Sequence, residues 1–218
     1  MSTPGVQPSP GGLRQVVLAT RNHHKVEELR EILAEPCDAL GVEIVGLDEF
    51  PDAPDVVEDG ITFEENALLK AGSAARLTGL PALADDSGLA VDILGGAPGI
   101  FSARWSGGGG DRANLELLLA QLGDVRDENR AGAFVCAAAL VLPDGRSAVE
   151  LGRLPGTVAR QARGTGGFGY DPIFVPDGQD LDPPRSLAEY TAEEKNGISH
   201  RFLAFRALAP HLKELLTT

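Results

Sequence analysis

Short apolar segments alternate along this chain with segments whose apolar residues recur at helical spacing, and this alternation limits the folds open to it. An apolar strand over residues 16–19 is followed by VEELREIL, which places Val26, Leu29 and Ile32 on one helical face. Later apolar segments are joined by turn sequences typical of hairpins. Because some strands alternate with helices and others pair as hairpins, we predict an α/β fold with a mixed central sheet flanked by helices.

Caps and helix breakers predict where the elements begin and end. Asn22 is a candidate N-cap of the first helix, Pro36 is expected to end it, and Thr62 and Glu65 form a T-x-x-E capping box. We expect further strands over residues 42–45, 83–84, 89–94, 133–142 and 147–154, and further helices over residues 62–78 and 114–122, from Thr191 to Gly197, and after Ser199.

The composition of the 218-residue chain argues against several classes of partner. A formal net charge of -13 disfavours nucleic acid and anionic membrane surfaces, but it leaves open a small polyanion in a basic pocket. No apolar segment approaches the roughly 20 residues that span a bilayer. Cys37 and Cys136 lack metal-ligand spacing, which favours a reduced, cytoplasmic protein. We expect residues 1–13 to be a disordered leader and residues 14–218 to form one domain, with or without two lobes.

Lysine is rare in this chain, whose basic residues are mostly arginines. A rare lysine can supply a compact positive charge for a phosphate group, or the few lysines can occur by chance. Lys70 lies in the apolar row of its predicted helix, so its side chain either extends to solvent or points into a cleft beneath the helix. The rest of that row is Phe63, Ala67, Ala74 and Leu77, and the other lysines are Lys25, Lys195 and Lys213.

A polar cluster at the start of the first helix suits a phosphate group. Thr20, Asn22 and Lys25 lie where free backbone N–H groups and the helix dipole attract an anion, although such residues also form ordinary helix caps. His23 and His24 diverge as neighbours on a helix, so we expect them to be solvated rather than to bind a metal ion.

The segment LPALADDSGLAVDILGG carries two adjacent carboxylates where an apolar strand is predicted to end. Neighbouring side chains of a strand point to opposite faces, so only one of Asp85 and Asp86 can enter a given cleft. A carboxylate there suits Mg²⁺, which binds through one or two carboxylates and substrate phosphates; the alternative is a turn with an Asx hydrogen bond. An acid ahead of Lys70 could add an oxygen ligand, and the candidates are Glu58, Asp59, Glu64 and Glu65.

A third group of residues suits a planar base. Phe168 lies between glycines, where an aromatic face exposed to a ligand is a reasonable expectation. Lys195, His200 and Arg201 surround a helix start, which suits an anion or a base but also fits a simple helix start. Together the clusters provide what a nucleoside triphosphate requires. The motif GxxxxGK[ST] is absent, which excludes the common P-loop.

Five ordered motifs, from about Val16 to Phe205, resemble the Ham1-type inosine/xanthosine triphosphate pyrophosphatases. They are LATRNHHK, TFEENALLKA, LADDSGLAVDILGGAPGIFSARWSG, GTGGFGYDPIF and LAEYTAEEKNGISHR. The resemblance implies a mixed sheet in two lobes with a cleft between them, a homodimer, and Mg²⁺-dependent hydrolysis of a nucleoside triphosphate to the monophosphate and pyrophosphate. Three of the four lysines lie in these motifs, which favours a functional role for them.

The resemblance also implies a role for each site residue. Asp86 would hold the metal ion and act on the attacking water, Lys70 would contact the triphosphate, Glu58 would be the second metal ligand and Asp85 would support Asp86. The phosphates would be held by Thr20, Arg21, Asn22, His23, His24 and Lys25. Ser87 would touch the substrate. The base would be enclosed by Phe168, Gly169, Tyr170, Asp171, His200 and Arg201, with Lys195 nearby. This sequence departs from the family pattern at Arg21, where glycine is frequent, and acids vary around Glu58.

Deaminated purines are distinguished by their base edge, because hypoxanthine and xanthine carry a 6-oxo group that adenine lacks. A pocket whose buried donors meet that oxygen would leave them unpaired with adenine. Three other functions fit the same residues: a house-cleaning pyrophosphatase with another base preference, a phosphatase that releases orthophosphate, and a nucleotide-binding sensor without turnover.

Overall fold

The computed structural model describes residues 14–21, 23–53 and 56–217. The predicted leader and the predicted N-cap Asn22 therefore lie outside the described residues. The strands are β1 (Arg14–Leu18), β2 (Val42–Gly46), β3 (Ala82–Val91), β4 (Ala131–Val141), β5 (Ser147–Val158) and β6 (Phe174–Pro176); the helices are α1 (His23–Leu40), α2 (Phe63–Thr78), α3 (Gly110–Gln121), α4 (Ala192–Ile198) and α5 (His200–Thr217).

The strands form one six-stranded sheet in the order β2-β1-β3-β4-β5-β6. Strand β1 runs parallel to β2 and to β3, whereas β5 and β6 are antiparallel. The predicted α/β class with a mixed sheet is confirmed. A tight turn joins β4 to β5, in which Leu142 N–H donates to the Arg146 carbonyl at 2.9 Å, as the Pro-Asp-Gly sequence predicts.

The chain divides into two compact units. Unit 1 contains the chain up to Asp86, Ala137–Leu151 and the chain from Ala204 onward, and unit 2 contains Ser87–Cys136 and Gly152–Leu203. Strands β3, β4 and β5 and helix α5 each contribute residues to both units. The boundary in β3 falls between Asp86 and Ser87, within the segment that the sequence marks out.

One core cluster in each unit shows a different composition. In unit 1, the cluster between α2 and the sheet consists largely of alanines, with valines beside them. Alanine side chains are short, so a helix that packs through them lies close to the strands it covers. The core of unit 2 is built from large side chains: Leu89, Val91, Leu115, Leu118, Leu122, Phe134, Leu154, Val158, Tyr170, Ile173, Phe174 and Leu187.

Strand β3 corrects the prediction of two short strands around a turn. It runs without a break from Ala82 to Val91, so both aspartates lie inside it and not at its end. The carboxylates are tolerated there because each is paired with a lysine, as described below. Gly88 also has a structural reason to be glycine, since a Cβ there would lie 2.4 Å from Ser102 Oγ.

The prediction that Pro36 ends the first helix is wrong, because α1 continues through it to Leu40. Leu33 and Cys37, on either side of the proline, are buried. Their packing outweighs the one backbone hydrogen bond that the proline removes.

The predicted capping of α2 is confirmed in part. Thr62 Oγ accepts the Glu65 N–H at 3.1 Å, but the Glu65 carboxylate accepts from Ile61 N–H at 2.7 Å and not from Thr62. Leu77, predicted on the apolar face of this helix, is 46% exposed, and Ala71 and Ala75 are buried instead. The capping box of α4 is present with both bonds, and Ser199 Oγ accepts the Phe202 N–H at 3.0 Å.

Other element boundaries shift by a few residues. Helix α3 begins at Gly110, before the predicted Asn114, β5 extends past Leu154 to Val158, and α4 passes Gly197 to end at Ile198. Among the helices in the described part of the chain, none is both long and apolar enough to cross a membrane.

Candidate active site

A cavity of about 320 Å³ opens in unit 1 beside the end of β1 and the first turns of α1. Charged and hydroxyl side chains form part of its wall, and small or aliphatic side chains form the rest. The polar lining is Thr20, Arg21, Lys25, Glu58, Lys70, Ser73 and Asp85, and the apolar lining is Ala19, Leu47, Ala53, Val56, Ala74 and Leu77. Two lysines on one small cavity make it suited to an anion.

Lys25 of α1 pairs with Asp85 of β3. Its ammonium donates to both carboxylate oxygens, at 3.0 and 2.9 Å, and the Asp85 side chain is only 2% exposed. The two residues lie 60 positions apart in the sequence. A buried carboxylate held by two contacts to one ammonium keeps Lys25 in a fixed place on the cavity wall.

Lys70 of α2 contacts two further carboxylates. Its ammonium lies 2.8 Å from Asp86 Oδ1 and 3.4 Å from Glu58 Oε1. The Lys70 side chain is 14% exposed, so of the two predicted orientations the structure has the one that points inward. Burial lowers the pKa of Lys70, but the charges of Asp85, Asp86 and Glu58 and the hydrogen bond to Asp86 together raise it by more, so the ammonium stays protonated.

Burial raises the pKa of the Asp86 carboxyl, and the nearby Glu58 adds to the rise. The charge of Lys70 and its hydrogen bond act in the opposite direction without cancelling the shift. A carboxyl with a raised pKa is a better proton acceptor than an ordinary aspartate, which is what a general base requires.

The two aspartates point to different faces of β3, as strand alternation predicts. Asp86 lies on the same face of the strand as Ala82 and Ala84, which pack in the cluster that contains the buried alanines of α2. Asp85, predicted as the supporting residue, lies on the other face and is the aspartate that lines the cavity. The structure therefore places both carboxylates among the charged groups of this site, each with its own lysine.

Sequence reasoning missed Asn66, which is fully buried on α2 one turn before Lys70. Its Nδ2 donates to Asp86 Oδ2 at 3.3 Å, and its Oδ1 accepts the Gly60 N–H at 2.9 Å. The available signal was an asparagine four positions before Lys70, and so on the same side of an otherwise alanine-rich helix.

Glu58 and Asp86 supply the oxygen donors that Mg²⁺ prefers. Both carboxylates approach the single ammonium of Lys70, so two hard oxygen ligands converge on one point of positive charge. Mg²⁺ binds through one or two carboxylates and completes its shell with water and phosphate oxygens. The donor set fits, and it needs no third acid; no cluster of three His, Cys, Asp or Glu suited to a metal occurs among the described residues.

The residues predicted to bind phosphate are described in part. Thr20, Arg21 and Lys25 line the cavity, and the Arg21 guanidinium donates to the Ala53 carbonyl. Asn22 lies outside the described residues, as do the side chains of His23 and His24.

In unit 2, Phe168 presents an exposed aromatic face next to a lysine. The residue is 52% exposed, and Lys195 Nζ lies over its ring, 4.6 Å from the ring centroid. The carboxylate of Asp171, 3% exposed, accepts from Lys195 and, at 2.8 Å, from the Phe168 N–H. Asp171 thus holds both the ring and the ammonium in place. Gly167, with φ +70°, permits this turn, because a Cβ there would lie 2.1 Å from Asp171 Oδ2.

Asp111 at the start of α3 is a second residue that sequence reasoning missed. Its carboxylate accepts the Gly169 N–H at 3.0 Å, so two aspartates hold consecutive N–H groups of the Phe168 loop. The signal was weak, since Asp111 follows a run of four glycines that is typical of a surface connection.

The other residues predicted around the base lie deeper in unit 2. His200 is buried and stacks on Phe134, with ring centroids 4.9 Å apart. Arg201 is 2% exposed and donates to Ser87 Oγ at 3.3 Å. Tyr170 packs in the core, where burial raises its pKa, and its hydroxyl donates to the Ser102 carbonyl at 2.9 Å.

A cavity on a mixed α/β sheet, with two lysines in its wall that are each fixed by a carboxylate, suits a phosphorylated ligand. A family model described as the Ham1 family matches residues 16–211 of this chain. Proteins of Streptomyces avermitilis and Streptomyces coelicolor, both called dITP/XTP pyrophosphatase, are 58% identical to it over 205 residues, which cover 94% of this chain and 100% of each relative. The chain therefore belongs to the Ham1 family, as its motifs predict.

Solved structures agree with this assignment. A nucleoside-triphosphatase, or dITP/XTP pyrophosphatase, of Mycobacterium abscessus is 50% identical, with a TM-score of 0.73 over 91% of this chain and 98% of that one. A HAM1 protein of Coxiella burnetii is 40% identical, with a TM-score of 0.82 over 93% of this chain and 100% of that one.

Proposed function

We propose that this protein hydrolyses deaminated purine nucleoside triphosphates, namely ITP, dITP and XTP, to the monophosphate and pyrophosphate. The observation that carries the proposal is the pair of buried lysine–aspartate contacts beside the unit 1 cavity, in a chain that is 58% identical to relatives named dITP/XTP pyrophosphatase. Two fixed ammonium groups suit a polyphosphate, and a buried carboxylate beside them suits the activation of water.

The triphosphate would bind to the cavity through Thr20, Lys25 and Lys70. Lys25 and Lys70 are held by Asp85 and Asp86, so little side-chain freedom is lost when phosphate oxygens replace water around them. The N-terminus of α1 would add the positive end of its dipole.

Glu58 and Asp86 would hold Mg²⁺. A bound Mg²⁺ polarises phosphate oxygens, lowers the pKa of a water molecule and offsets the negative charge of the two carboxylates. Without a cation, the carboxylates of this site would repel a triphosphate.

Asp86 would accept a proton from the water that attacks the α-phosphorus. A bond forms between the water oxygen and phosphorus, the bond to the bridging oxygen breaks, and pyrophosphate leaves with that oxygen. The ammonium groups of Lys25 and Lys70 would stabilise its charge. The chain forms no covalent intermediate in this scheme, because positioning and electrostatics suffice for phosphate chemistry of this type.

The base would stack on Phe168, whose exposed ring is held by Asp171 and flanked by Lys195. A 6-oxo group can accept a hydrogen bond from Lys195, whereas the 6-amino group of adenine cannot accept one. Such a contact would favour hypoxanthine and xanthine over adenine.

Release of pyrophosphate from ITP, dITP, XTP, GTP, dTTP and ATP, with and without Mg²⁺, tests the proposal. We expect Mg²⁺-dependent pyrophosphate from the first three and much less from ATP and GTP. Orthophosphate as the main product would identify a phosphatase, preference for another base would identify a different house-cleaning enzyme, and binding without product would identify a sensor.

The cellular location and the oligomeric state of the protein belong to the same proposal. Cys37 and Cys136 are buried and are not joined by a disulfide, which fits a reducing cytoplasm. The homodimer implied by the resemblance is a prediction that sedimentation of the purified protein would check.

A further inference from the structure

We infer that Asn66 is a positioning residue that fixes the place of the Asp86 carboxylate relative to the segment carrying Glu58. It is fully buried, and its two hydrogen bonds run to Asp86 and to Gly60, two residues beyond Glu58. The inference rests on the proposed function in one respect: it takes Asp86 and Glu58 to be the acidic groups that act in the reaction.

The chemistry of the two partners fixes the orientation of the Asn66 amide. The Gly60 N–H can only donate, so it must face the amide oxygen, and an ionised Asp86 carboxylate can only accept, so it must face the amide nitrogen. Only a side chain with a donor and an acceptor can serve both. Aspartate at this position would lose the donor and bring a further negative charge to the site, and leucine would lose both bonds.

Asn66 and Lys70 hold opposite ends of one carboxylate. Asn66 donates to Asp86 Oδ2 at 3.3 Å, and Lys70 donates to Oδ1 at 2.8 Å. Two donors from successive turns of the same helix fix the plane of the carboxylate, which a single contact would leave free to rotate.

The approach of the Glu58 segment to α2 depends on glycine. A Cβ at position 60 would lie 2.7 Å from Asn66 Oδ1 and 2.8 Å from Glu65 Cβ, so any larger residue would push the segment away. The close contact of Gly60 with Asn66 therefore ties the segment of Glu58 to Asp86. Glu58 and Asp86 are also the two acids that contact the Lys70 ammonium.

The test compares Asn66→Ala and Asn66→Leu with the wild type and with Asn114→Ala. Asn114 is an equally buried helical asparagine that ties a loop through the Ser106 N–H and the Ala103 carbonyl. Groups that orient metal ligands are typically worth 10- to 100-fold in affinity or activity. We expect the Asn66 variants to lose about that factor in kcat and in calorimetric Mg²⁺ affinity measured with pyrophosphate, and Asn114→Ala to lower Tm alone.

A double-mutant cycle separates positioning from folding. If Asn66 acts through Asp86, Asn66→Ala should cost little further kcat in the Asp86→Asn background. The same loss in both backgrounds, or a lowered Tm with unchanged kcat and Mg²⁺ affinity, would overturn the inference. If Asn66→Leu fails to fold, Asn66→Ala, which adds neither bulk nor charge, decides the test. The calorimetric measurement does not depend on turnover. A wild-type protein that released no pyrophosphate would therefore count against the proposed function, and the Mg²⁺ affinities of the Asn66 variants would still test the role of Asn66.

Discussion

The charged cluster of unit 1 and the aromatic cluster of unit 2 are built in opposite ways. In unit 1 the side chains of Asp85 and Asp86 are 2% and 11% exposed, and each is paired with a lysine. In unit 2 the functional candidate is a half-exposed ring, Phe168, held by hydrogen bonds to its own loop. Buried charges act strongly on a reacting group, whereas an exposed ring offers a surface for binding.

Packing in the two core clusters helps to produce this difference. Alanines let α2 lie close to the strands of unit 1, so that Asn66 and Lys70 reach Asp86 directly. The large side chains of unit 2 anchor a loop, with Tyr170 packed in the core while Phe168, two residues earlier, faces outward. Changes in the charged cluster should therefore lower kcat, and changes in the aromatic cluster should raise KM.

The largest effect is expected from Asp86→Asn. The change keeps the shape but removes the group that would accept the water's proton and hold Mg²⁺, and general-base catalysis is typically worth about 10²- to 10⁴-fold. We expect kcat to fall at least about 10²-fold in a folded protein. Steady-state kinetics over a Mg²⁺ titration, with circular dichroism to confirm folding, measures this.

Asp85→Asn is the matched control for that change. It removes the negative charge and one of the two oxygens that hold Lys25, so it should raise KM for the triphosphate and lower kcat less than Asp86→Asn does. If Asp85→Asn has the lower kcat at saturating Mg²⁺, the roles of the two aspartates must be exchanged.

Phe168→Ala should raise KM for ITP with a smaller change in kcat. Stacking acts on bound substrate and transition state alike, and it is worth roughly 1–3 kcal/mol per base, or roughly 5- to 150-fold in KM. Phe101→Ala is the control, because Phe101 is 49% exposed and also has a cation over its ring, Arg104 at 5.2 Å. An equal rise in KM for both variants, or an unchanged KM for Phe168→Ala, would show that Phe168 does not contact the base.

The smallest effect is expected from Asp111→Ala. It removes one solvent-exposed hydrogen bond to the Phe168 loop, a contact worth about 1 kcal/mol, so KM should rise no more than about fivefold. Asp111→Asn keeps an acceptor oxygen and should behave like the wild type. A rise in KM as large as that of Phe168→Ala would mean that Asp111 contacts the substrate itself.

Much of the fold followed from local sequence. The capping box of α4, the Thr62 N-cap of α2 and the turn between β4 and β5 all depend on residues within a few positions of one another, so their hydrogen bonds can be predicted from short segments. Strand alternation alone separated Asp85 from Asp86. The five motifs identified the family, because their order and spacing span nearly the whole chain.

Tertiary structure decided which groups meet. Lys25 and Asp85 are 60 positions apart, and Gly169 and Asp111 are 58 apart, so no local pattern could pair them. The same holds for β3, which continues through two aspartates only because lysines from two different helices neutralise them. Sequence determined the residue types and the local hydrogen bonds; packing decided the charge pairs, because the energy of a buried charge depends on partners that only the folded chain brings near.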